Sequence, residues 1–366
     1  MQLSEQILNM KDDCVKIRRD LHRMPEIGFE LHKTHEYVET LLSSCGPDEL
    51  KTIAETGLKA VFYAKNASKT IAFRADMDAV SGTDGLYHGC GHDGHCSVMA
   101  SLGAWTSGKS FGKNIFFLFQ HAEETGDGGS ECLPFFDMEK IDAIFGFHNC
   151  PGFPAGSILM LHDTFACASK GLILAFSGTQ SHAAYPENGI NPIFPMSAFF
   201  SHWDELTSPD NYRGLVLATP VCFTAGSRSF GVAAGSGEID LTIRAWYDED
   251  LAKLEASAVS LASSLCEKSG VSFSCKSQDV FPANVNSPAL YDVVKAAAMR
   301  AQLDCITPHE PFRWSEDFGW YGSKTKSFMC GIGGGEDAPG LHTPAYRWND
   351  EVTKSALRLF SEIISA

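Results

Sequence analysis

Four short and almost uninterrupted apolar runs constrain the fold of this chain more than any other feature. They are Ala60–Ala64, Thr70–Arg74, Asn114–Phe119 and Asp142–Phe147. Because apolar residues do not alternate with polar ones, the runs predict strands that are buried on both faces of a sheet. Helical stretches separate the runs, including one from about residue 94 to 105. The alternation predicts an α/β domain of three layers, with a mixed, mostly parallel sheet between helices.

Length and charge narrow the class of protein. With 366 residues, the chain is long for a single core, and two domains are expected. The net charge of −16 argues against nucleic-acid binding, which needs clustered Lys and Arg. No apolar run approaches the roughly 20 residues that span a bilayer, so no membrane contact is expected.

The N-terminal segment and the cysteines predict a cytoplasmic protein. The segment is charged, lacks the apolar core of a signal peptide, and carries apolar residues at helical spacing: Leu3, Ile7, Met10, Cys14, Ile17 and Leu21. Most of the twelve cysteines are scattered without paired spacing, which is typical of small buried side chains in a reducing compartment.

The pattern of elements changes near residue 166. From there the sequence predicts, in order, a strand from Lys170, a helix over about 191–206, strands at 214–218 and 238–246, a helix over about 249–269 and a strand at 271–275. This order is typical of a small α+β domain of the ferredoxin-like type. We therefore predict an inserted domain at 166–277 and a discontinuous catalytic, metal-binding domain at 1–165 and 278–366.

The stretch HGCGHDGH, from His88 to His95, places four potential transition-metal ligands within eight residues. Thiolate and imidazole bind zinc and similar metals well, and glycines between them let the backbone fold tightly around an ion. Three later segments add an acidic pair and two more histidines: Gln120–Glu124, Gly146–Asn149 and Gly340–Pro344. Together these segments supply the side chains that a two-metal hydrolase requires.

Most of these polar residues follow a predicted strand. Asp76 and Asp78 follow the second apolar run, the acidic pair follows the third, and His148 follows the fourth. In open α/β sheets, sites form beyond the carboxyl ends of strands, so we expect these side chains to meet there. Asp76 and Asp78 are expected to orient the ligands rather than bind the ions, although a solvated turn is an alternative for Asp78.

The pair Glu123 and Glu124 is expected to divide its roles. Adjacent residues on a regular strand point in opposite directions, so both should not bind the metal. One ligand and one general base is the division that we predict.

Other polar residues carry weaker expectations. Asp93, at the start of a predicted helix, is expected to cap free N–H groups. Glu316 and Asp317 either orient the histidine of the last segment or line the pocket. Histidines without a partner pattern, such as His22 and His121, are expected at the surface or with their hydrogen bonds satisfied.

Eight motifs in colinear order span nearly the whole chain: RDLHRMPEIGFE from Arg19, FRADMD from Phe73, HGCGHDGH from His88, FQHAEE from Phe119, FGFH from Phe145, GTQSHAAYP from Gly178, WSEDF from Trp314 and HTPAYRWND from His342. These motifs resemble those of the metal-dependent amidohydrolases related to aminoacylases. The resemblance is to the branch that contains hippurate hydrolases, N-acetyldiaminopimelate deacetylases and plant auxin-conjugate hydrolases.

The resemblance implies a binuclear metal site in the catalytic domain and an inserted lid domain through which two subunits form a homodimer. Carried over by position, the implied metal ligands are Cys90, His92, Glu124, His148 and His342. Glu123 would be the general base, and His182 would reach into a site, that of the partner subunit, to stabilise the oxyanion. Two divalent ions are implied, zinc first, with manganese, cobalt or nickel as alternatives.

The implied reaction is hydrolysis of the amide bond of an N-acyl amino acid, a small-molecule substrate, by attack of a metal-bridged hydroxide. Two neighbouring cations can hold such a hydroxide at neutral pH and polarise the amide carbonyl. Arg244 has a forked guanidinium that suits a substrate carboxylate, although an ion pair with an acid is an alternative.

Two departures from the family pattern bear on the substrate. The segment Ala79–Tyr87 is shorter than in relatives, which predicts a lower or more open wall of the cleft. Gly231–Gly235 stands where relatives have an asparagine-containing stretch, so a residue expected to contact substrate is missing. Three alternative functions stay open: a dipeptidase or carboxypeptidase on the same scaffold, a non-catalytic metal-binding protein, and a hydrolase with Cys90 as its nucleophile.

Overall fold

A computed structural model describes residue 7 and residues 9–366. Leu3 of the predicted N-terminal helix therefore lies outside the described residues. The helices are α1 (Lys11–Leu21), α2 (His32–Ser43), α3 (His92–Thr106), α4 (Gly128–Glu131), α5 (Pro134–Met138), α6 (Ile193–Phe200), α7 (Trp203–Leu206), α8 (Asp248–Ser269), α9 (Pro288–Arg300) and α10 (Asp350–Ser365). Short 3₁₀ helices occur at Glu123–Thr125, Pro186–Asn188, Pro209–Asn211 and Asp317–Ser323.

The strands are β1 (Glu49–Ile53), β2 (Gly57–Phe62), β3 (Thr70–Asp76), β4 (Val80–Gly82), β5 (Gly85–Tyr87), β6 (Asn114–Gln120), β7 (Ala143–Pro151), β8 (Ile158–Leu159), β9 (Thr164–Ala166), β10 (Ala168–Ser177), β11 (Val216–Ala225), β12 (Ser236–Ala245), β13 (Ser272–Phe281), β14 (Asn284–Val285), β15 (Cys305–Ile306) and β16 (Lys326–Gly335). The four predicted runs correspond to β2, β3, β6 and β7, and all four are almost entirely buried.

The chain forms two compact units. The first contains Met1–Phe165, Asn284–Pro311 and Glu316–Ala366, and the second contains Ala166–Ala283 and Phe312–Ser315. The second unit thus begins where the sequence predicts an insertion but extends beyond residue 277. It also includes a short distant segment, because the Cys167 N–H donates to the Phe312 carbonyl at 3.0 Å. Local sequence patterns contain no signal for such a pairing.

The first unit is built on an eight-stranded mixed sheet in the order β1-β2-β6-β3-β7-β16-β8-β15. The pairs β6–β3, β3–β7, β7–β16 and β8–β15 are parallel, and the other three are antiparallel. Parallel strands at the centre of the sheet end at the same edge, which gathers the polar residues that follow them.

Both faces of this sheet are covered, which confirms the three-layer α/β prediction. On one face, the rings of Phe73, Phe117 and Phe360 pack together, the last of them from α10. On the opposite face, Phe116 contacts Phe135 of α5 with ring centroids 5.8 Å apart. Burial of each such side chain stabilises the fold by about 1.5–3 kcal/mol.

The second unit has a four-stranded antiparallel sheet in the order β11-β12-β10-β13. Buried Ile239, Leu241 and Ile243 alternate along β12 with less buried residues, as expected for a sheet covered by helices on one face. The element order β-α-β-β-α-β matches the ferredoxin-like prediction. The single helix predicted over 191–206 is instead two helices, α6 and α7, because His202 leaves helical geometry.

The part of the chain that the structure describes contains no helix that is both long enough and apolar enough to cross a lipid bilayer.

Candidate metal centre

The candidate site lies in the first unit, where parallel strands end. β3 ends at Asp76, which pairs in register with Gln120 at the end of β6. His148 lies on β7, and α3 begins at His92. The C-terminal ends of three neighbouring strands therefore supply the polar side chains, as the sequence predicts.

The five ligands implied by the resemblance converge at this edge. Cys90 Sγ lies 3.4 Å from His148 Nε2, and His92 Nε2 lies 3.7 Å from Glu124 Oε1. His342 Nε2 lies 3.3 Å from the same Glu124 oxygen. Two sets, Cys90–His92–His148 and Cys90–Glu124–His342, each keep their potential ligand atoms within 4.8 Å of one another. Residues separated by more than 250 positions thus form one cluster.

Glycine is required in the loop that carries Cys90. Gly91 has a φ of +93°, in the left-handed region that other residues avoid. A Cβ at this position would also lie 2.5 Å from the Tyr346 hydroxyl oxygen and 2.6 Å from Asn149 Oδ1. A Cβ at Gly94 would lie 2.3 Å from the Trp348 ring. The glycines therefore let the loop approach its neighbours closely as well as turn sharply.

The predicted divergence of Glu123 and Glu124 is wrong. β6 ends at Gln120, Ala122 adopts a left-handed φ of +51°, and the pair lies in a 3₁₀ turn. Both carboxylates therefore face His92 Nε2, at 3.8 Å from Glu123 Oε2 and 3.7 Å from Glu124 Oε1. The two residues differ in their other contacts instead.

Glu124 contacts His342, whereas Glu123 contacts the turn that begins at Glu316. Oε1 of Glu123 accepts a hydrogen bond from the Asp317 N–H at 3.4 Å. Glu123 also belongs to a set with Asp76 and Glu316 whose oxygens lie within 4.8 Å of one another. Different surroundings, rather than strand geometry, distinguish the two carboxylates.

The donor set fits divalent transition metals. His92 Nε2 and Glu124 Oε1 are both buried, and His92 Nε2 has no hydrogen-bond partner among the described residues. The region holds one buried guanidinium, that of Arg74, and six buried or nearly buried carboxylates: Asp76, Asp78, Glu123, Glu124, Glu316 and Asp317. Buried carboxylates are costly without compensating charge, which two divalent cations would supply. Thiolate, imidazole and carboxylate are also the ligand types of zinc and its neighbours.

Hydrogen bonds aim the imidazoles at the centre of the cluster. His92 Nδ1 lies 2.9 Å from the Asp78 carbonyl and 3.3 Å from its Oδ1, while Asp78 Oδ2 accepts the Glu124 N–H at 3.0 Å. His148 Nδ1 donates to the Asn149 carbonyl at 2.8 Å. Because Nδ1 makes these contacts in both histidines, it is Nε2 that points toward the other proposed ligands. Asp78 is 1% exposed, so the solvated-turn alternative is wrong.

Asp76 also lies in the cluster, with its Oδ2 3.6 Å from His92 Nε2. Its Oδ1 is 2.6 Å from His95 Nδ1, and His95 Nε2 lies 2.7 Å from Asn149 Oδ1. Asp76 Oδ2 accepts from Arg74 at 2.8 Å. Arg74, in the FRADMD motif, and Asn149, directly after His148, were not predicted as site residues, because each lies within a buried strand and neither is a typical metal ligand.

Burial and charge set the protonation of the metal-free site. Burial would lower the pKa of His92, but Asp76, Asp78 and Glu124 raise it to about 10. Burial, followed by Glu124 and Glu123, raises the pKa of the Cys90 thiol well above its usual range. Burial lowers the pKa of His148 well below its usual range. A nucleophilic thiolate needs a lowered pKa, so the Cys90-nucleophile alternative is disfavoured.

The expectations for Asp93 and His121 need correction, whereas that for His22 holds. The N-terminus of α3 has no side-chain cap; Asp93 instead contacts His22 Nδ1 at 2.8 Å and Arg18 at 3.4 Å. His22 is exposed and makes this contact, as expected. Arg18 lies on α1 and His22 directly follows α1, so no local pattern links them to Asp93. His121 is fully buried against Phe29, and burial lowers its pKa to about 4.

The second unit carries the other two predicted site residues. The Ala184 N–H donates to His182 Nδ1 at 3.0 Å, so the neutral ring holds its proton on Nε2 as a donor. Arg244 donates from Nη1 to the Arg313 carbonyl at 3.1 Å and to Ser315 Oγ at 2.8 Å. An ion pair with an acid, the alternative role of Arg244, would require a carboxylate nearby. Among the described residues, no carboxylate lies within ion-pair distance of Arg244.

The fold and the cluster define a two-unit protein with a candidate metal site of cysteine, histidine and carboxylate side chains. The model of peptidase family M20/M25/M40 matches residues 72–366, and the chain belongs to this family. The resemblance noted from the motifs is thereby confirmed, and the protein is a hydrolase.

Relatives and solved structures agree over almost the full length. The chain is 24% identical to a hippurate hydrolase of Campylobacter jejuni, covering 99% of this chain and 98% of that protein. It is 28% identical to an uncharacterized hydrolase of Staphylococcus haemolyticus, covering 95% and 96%. A putative aminohydrolase structure from methicillin-resistant Staphylococcus aureus has a TM-score of 0.91 at 23% identity, covering 100% and 98%.

A dinuclear metal-binding peptidase of the M20 family from Bacillus subtilis has a TM-score of 0.82 at 23% identity, with 98% of both chains covered. At this identity the structural neighbours establish the fold.

Proposed function

We propose that the protein hydrolyses the amide bond of N-acyl amino acids, using two divalent metal ions held by Cys90, His92, Glu124, His148 and His342. The observation that carries the proposal is the convergence of these side chains beside the separate carboxylate of Glu123. The similarity to a hippurate hydrolase, whose name describes an N-acyl amino acid substrate, supports the substrate class.

When bound, the two cations activate a water at neutral pH and polarise the amide carbonyl. Glu123 acts as the general base and then returns the proton to the leaving amine. Its position favours this role, because its Oε2 lies 3.8 Å from His92 Nε2 while its Oε1 accepts the Asp317 N–H, so the carboxylate lies beside the cluster without being one of the five proposed ligands.

Two residues of the second unit complete the proposal. His182 donates from Nε2 to the oxyanion, and we place it in the site of the partner subunit of a homodimer formed through this unit. The accepting role of its Nδ1 supports this assignment, since a neutral imidazole is then already a donor. Arg244 binds the substrate carboxylate, for which its lack of a carboxylate partner leaves the guanidinium available.

Metal identity and location are part of the same proposal. We propose zinc as the metal, with manganese, cobalt or nickel as alternatives, because thiolate and imidazole dominate the donor set. We propose a cytoplasmic location, which the twelve free cysteines support.

The experiment measures hydrolysis of a panel of N-acetyl and N-benzoyl amino acids and dipeptides by the wild type, Glu123→Gln and Glu131→Gln. Glu131 is exposed on α4 and serves as the matched control. We expect the wild type and control to cleave N-acyl amino acids, and Glu123→Gln to keep its metal but lose at least about a hundredfold in kcat.

Preference for dipeptides would favour the peptidase alternative instead. Activity that survives chelation but is blocked by iodoacetamide would favour the thiol mechanism, and wild-type turnover by Glu123→Gln would refute the assigned base.

A further inference from the structure

Arg74 lies at the centre of a buried polar network beside the candidate metal centre. Its side chain is 1% exposed. Nε donates to Gln120 Oε1 at 2.8 Å, Nη1 to Asp76 Oδ2 at 2.8 Å, and Nη2 to Asp317 Oδ1 at 2.6 Å. Nη1 also lies 3.0 Å from Glu316 Oε1. The guanidinium thus joins β3, the end of β6 and the turn that begins at Glu316.

One of these contacts, that with Asp76, leads to the ligand His92. Asp76, held by Arg74 through Oδ2, places the same oxygen 3.6 Å from His92 Nε2. Its other oxygen lies 2.6 Å from His95 Nδ1. Arg74 therefore fixes a carboxylate that is in contact with a proposed metal ligand.

The other contacts lead to Glu123. Asp317, held by Arg74 through its carboxylate, donates its backbone N–H to Glu123 Oε1 at 3.4 Å. The Asp317 carboxylate also accepts from the Gly129 N–H at 2.6 Å and from Gln120 Nε2 at 2.7 Å, which fixes the turn. The oxygens of Glu316 and Glu123 belong to one set within 4.8 Å.

We infer that Arg74 is a positioning residue, which holds Glu123 in register with the ligand His92 through Asp317 on one side and Asp76 on the other. The inference rests on the proposed function, in which Glu123 is the general base. Arg74 has no role in binding substrate or metal. Its effect is on the distance between the base and the cluster, to which the rate of proton transfer is sensitive.

The geometry requires arginine rather than any cation. A planar guanidinium donates in three directions at once, whereas an ammonium is a compact point charge on a flexible chain. Arg74→Lys keeps a positive charge among Asp76, Glu316 and Asp317, so the negative charge of these carboxylates is still compensated in the folded state. The lysine ammonium cannot contact Gln120, Asp76 and Asp317 together, so the turn and β3 are no longer joined through one side chain.

The test compares Arg74→Lys, Asp317→Asn and the double variant as purified full-length proteins loaded with zinc. Metal content, melting temperature, kcat and KM on an N-acyl amino acid are measured for each. Val38→Ala, a core substitution on α2 far along the chain from the network, is the control for lost stability, since Val38 is 0% exposed. Glu123→Gln is measured alongside.

We expect Arg74→Lys to retain its metal and a KM within about threefold of the wild type, while kcat falls by about a hundredfold. Asp317→Asn should show the same split, and the double variant should be no slower than the slower single variant, since both act through one contact. Val38→Ala should keep the kcat of the wild type even if its melting temperature falls as much as that of Arg74→Lys.

The inference would be overturned if Arg74→Lys had the kcat of the wild type, or if Val38→Ala lost as much kcat as Arg74→Lys. It would also be overturned if the fold-losses of kcat in the two single variants multiplied in the double variant. If Arg74→Lys does not fold, Asp317→Asn decides alone, and wild-type kcat there overturns it. Full activity of Glu123→Gln would instead overturn the proposed base, and the inference with it.

Discussion

His92 and Asp78 are joined twice, since the imidazole Nδ1 lies 2.9 Å from the Asp78 carbonyl and 3.3 Å from its carboxylate. The second carboxylate oxygen of Asp78 accepts the backbone N–H of Glu124. One buried side chain therefore orients two proposed ligands that come from different elements. The relationship explains how residues on α3 and on the turn after β6 reach a common centre.

Loss of this carboxylate should weaken metal binding. Substitution Asp78→Asn removes the charge that orients His92, and we expect metal affinity to fall about 10- to 100-fold, with activity restored by excess metal. Titration of the metal-free protein with zinc measures the effect. Asp84→Asn, in the exposed hairpin between β4 and β5, is the control. Unchanged affinity in Asp78→Asn would contradict the orienting role.

The loop glycine provides a test of local packing. Gly91→Ala combines a φ of +93° with a Cβ 2.5 Å from Tyr346, so we expect loss of metal binding and a large drop in melting temperature. Gly112→Ala is the control, because Gly112 has a φ of +69° but no atom within 4 Å of an added Cβ. That variant should lose only about 1–2 kcal/mol of unfolding free energy. Equal losses in the two variants would show that crowding at Gly91 is unimportant.

Metal binding should release protons. The metal-free site keeps His92 and Cys90 protonated at neutral pH, because the pKa of His92 is raised to about 10 and that of Cys90 is raised well above its usual range. Ligands bind metal in their deprotonated forms, so about two protons should leave on binding, and affinity should rise with pH. Calorimetry in buffers of different ionisation enthalpy counts them. Release of fewer than one proton would mean that one of these residues is not a ligand.

The thiol should influence metal preference. Cys90→Ser replaces a thiolate by a hydroxyl, and we expect the preference for zinc over manganese to fall by at least about tenfold, because sulfur favours the softer ion. Cys222→Ser, at an exposed position on β11, is the control. Competition between the two metals for each variant measures the ratio, and an unchanged ratio in Cys90→Ser would place the thiol outside the site.

Much of the architecture follows from local patterns. Uninterrupted apolar runs such as Asn114–Phe119 identify buried strands, and the rule that sites form at strand ends predicts that Asp76 and His148 lie near the same edge of the sheet, where the structure has them. The orientation of Glu123 and Glu124 could not be predicted, because it depends on a left-handed Ala122 that ends the strand early. Alternation predicts opposite side-chain directions only for residues on a regular strand, and β6 ends before Glu123.

The charge network could not be predicted either. Arg74 lies inside an apolar run, and its partner Asp317 is 243 positions away in sequence. No spacing rule links such residues, because their contact depends on the tertiary fold. The partners of Asp93, which are Arg18 on α1 and His22 directly after it, were missed for the same reason.

The most direct test of the central claim is a crystal structure of the zinc-loaded protein with anomalous difference maps. If these residues hold two zinc ions, we expect two peaks per chain at bonding distances of about 2.0–2.3 Å from the sulfur, nitrogen and oxygen atoms of the cluster, contributed by Cys90, His92, Glu124, His148 and His342. A map with no peak at this cluster, or with ions bound only elsewhere, would contradict it.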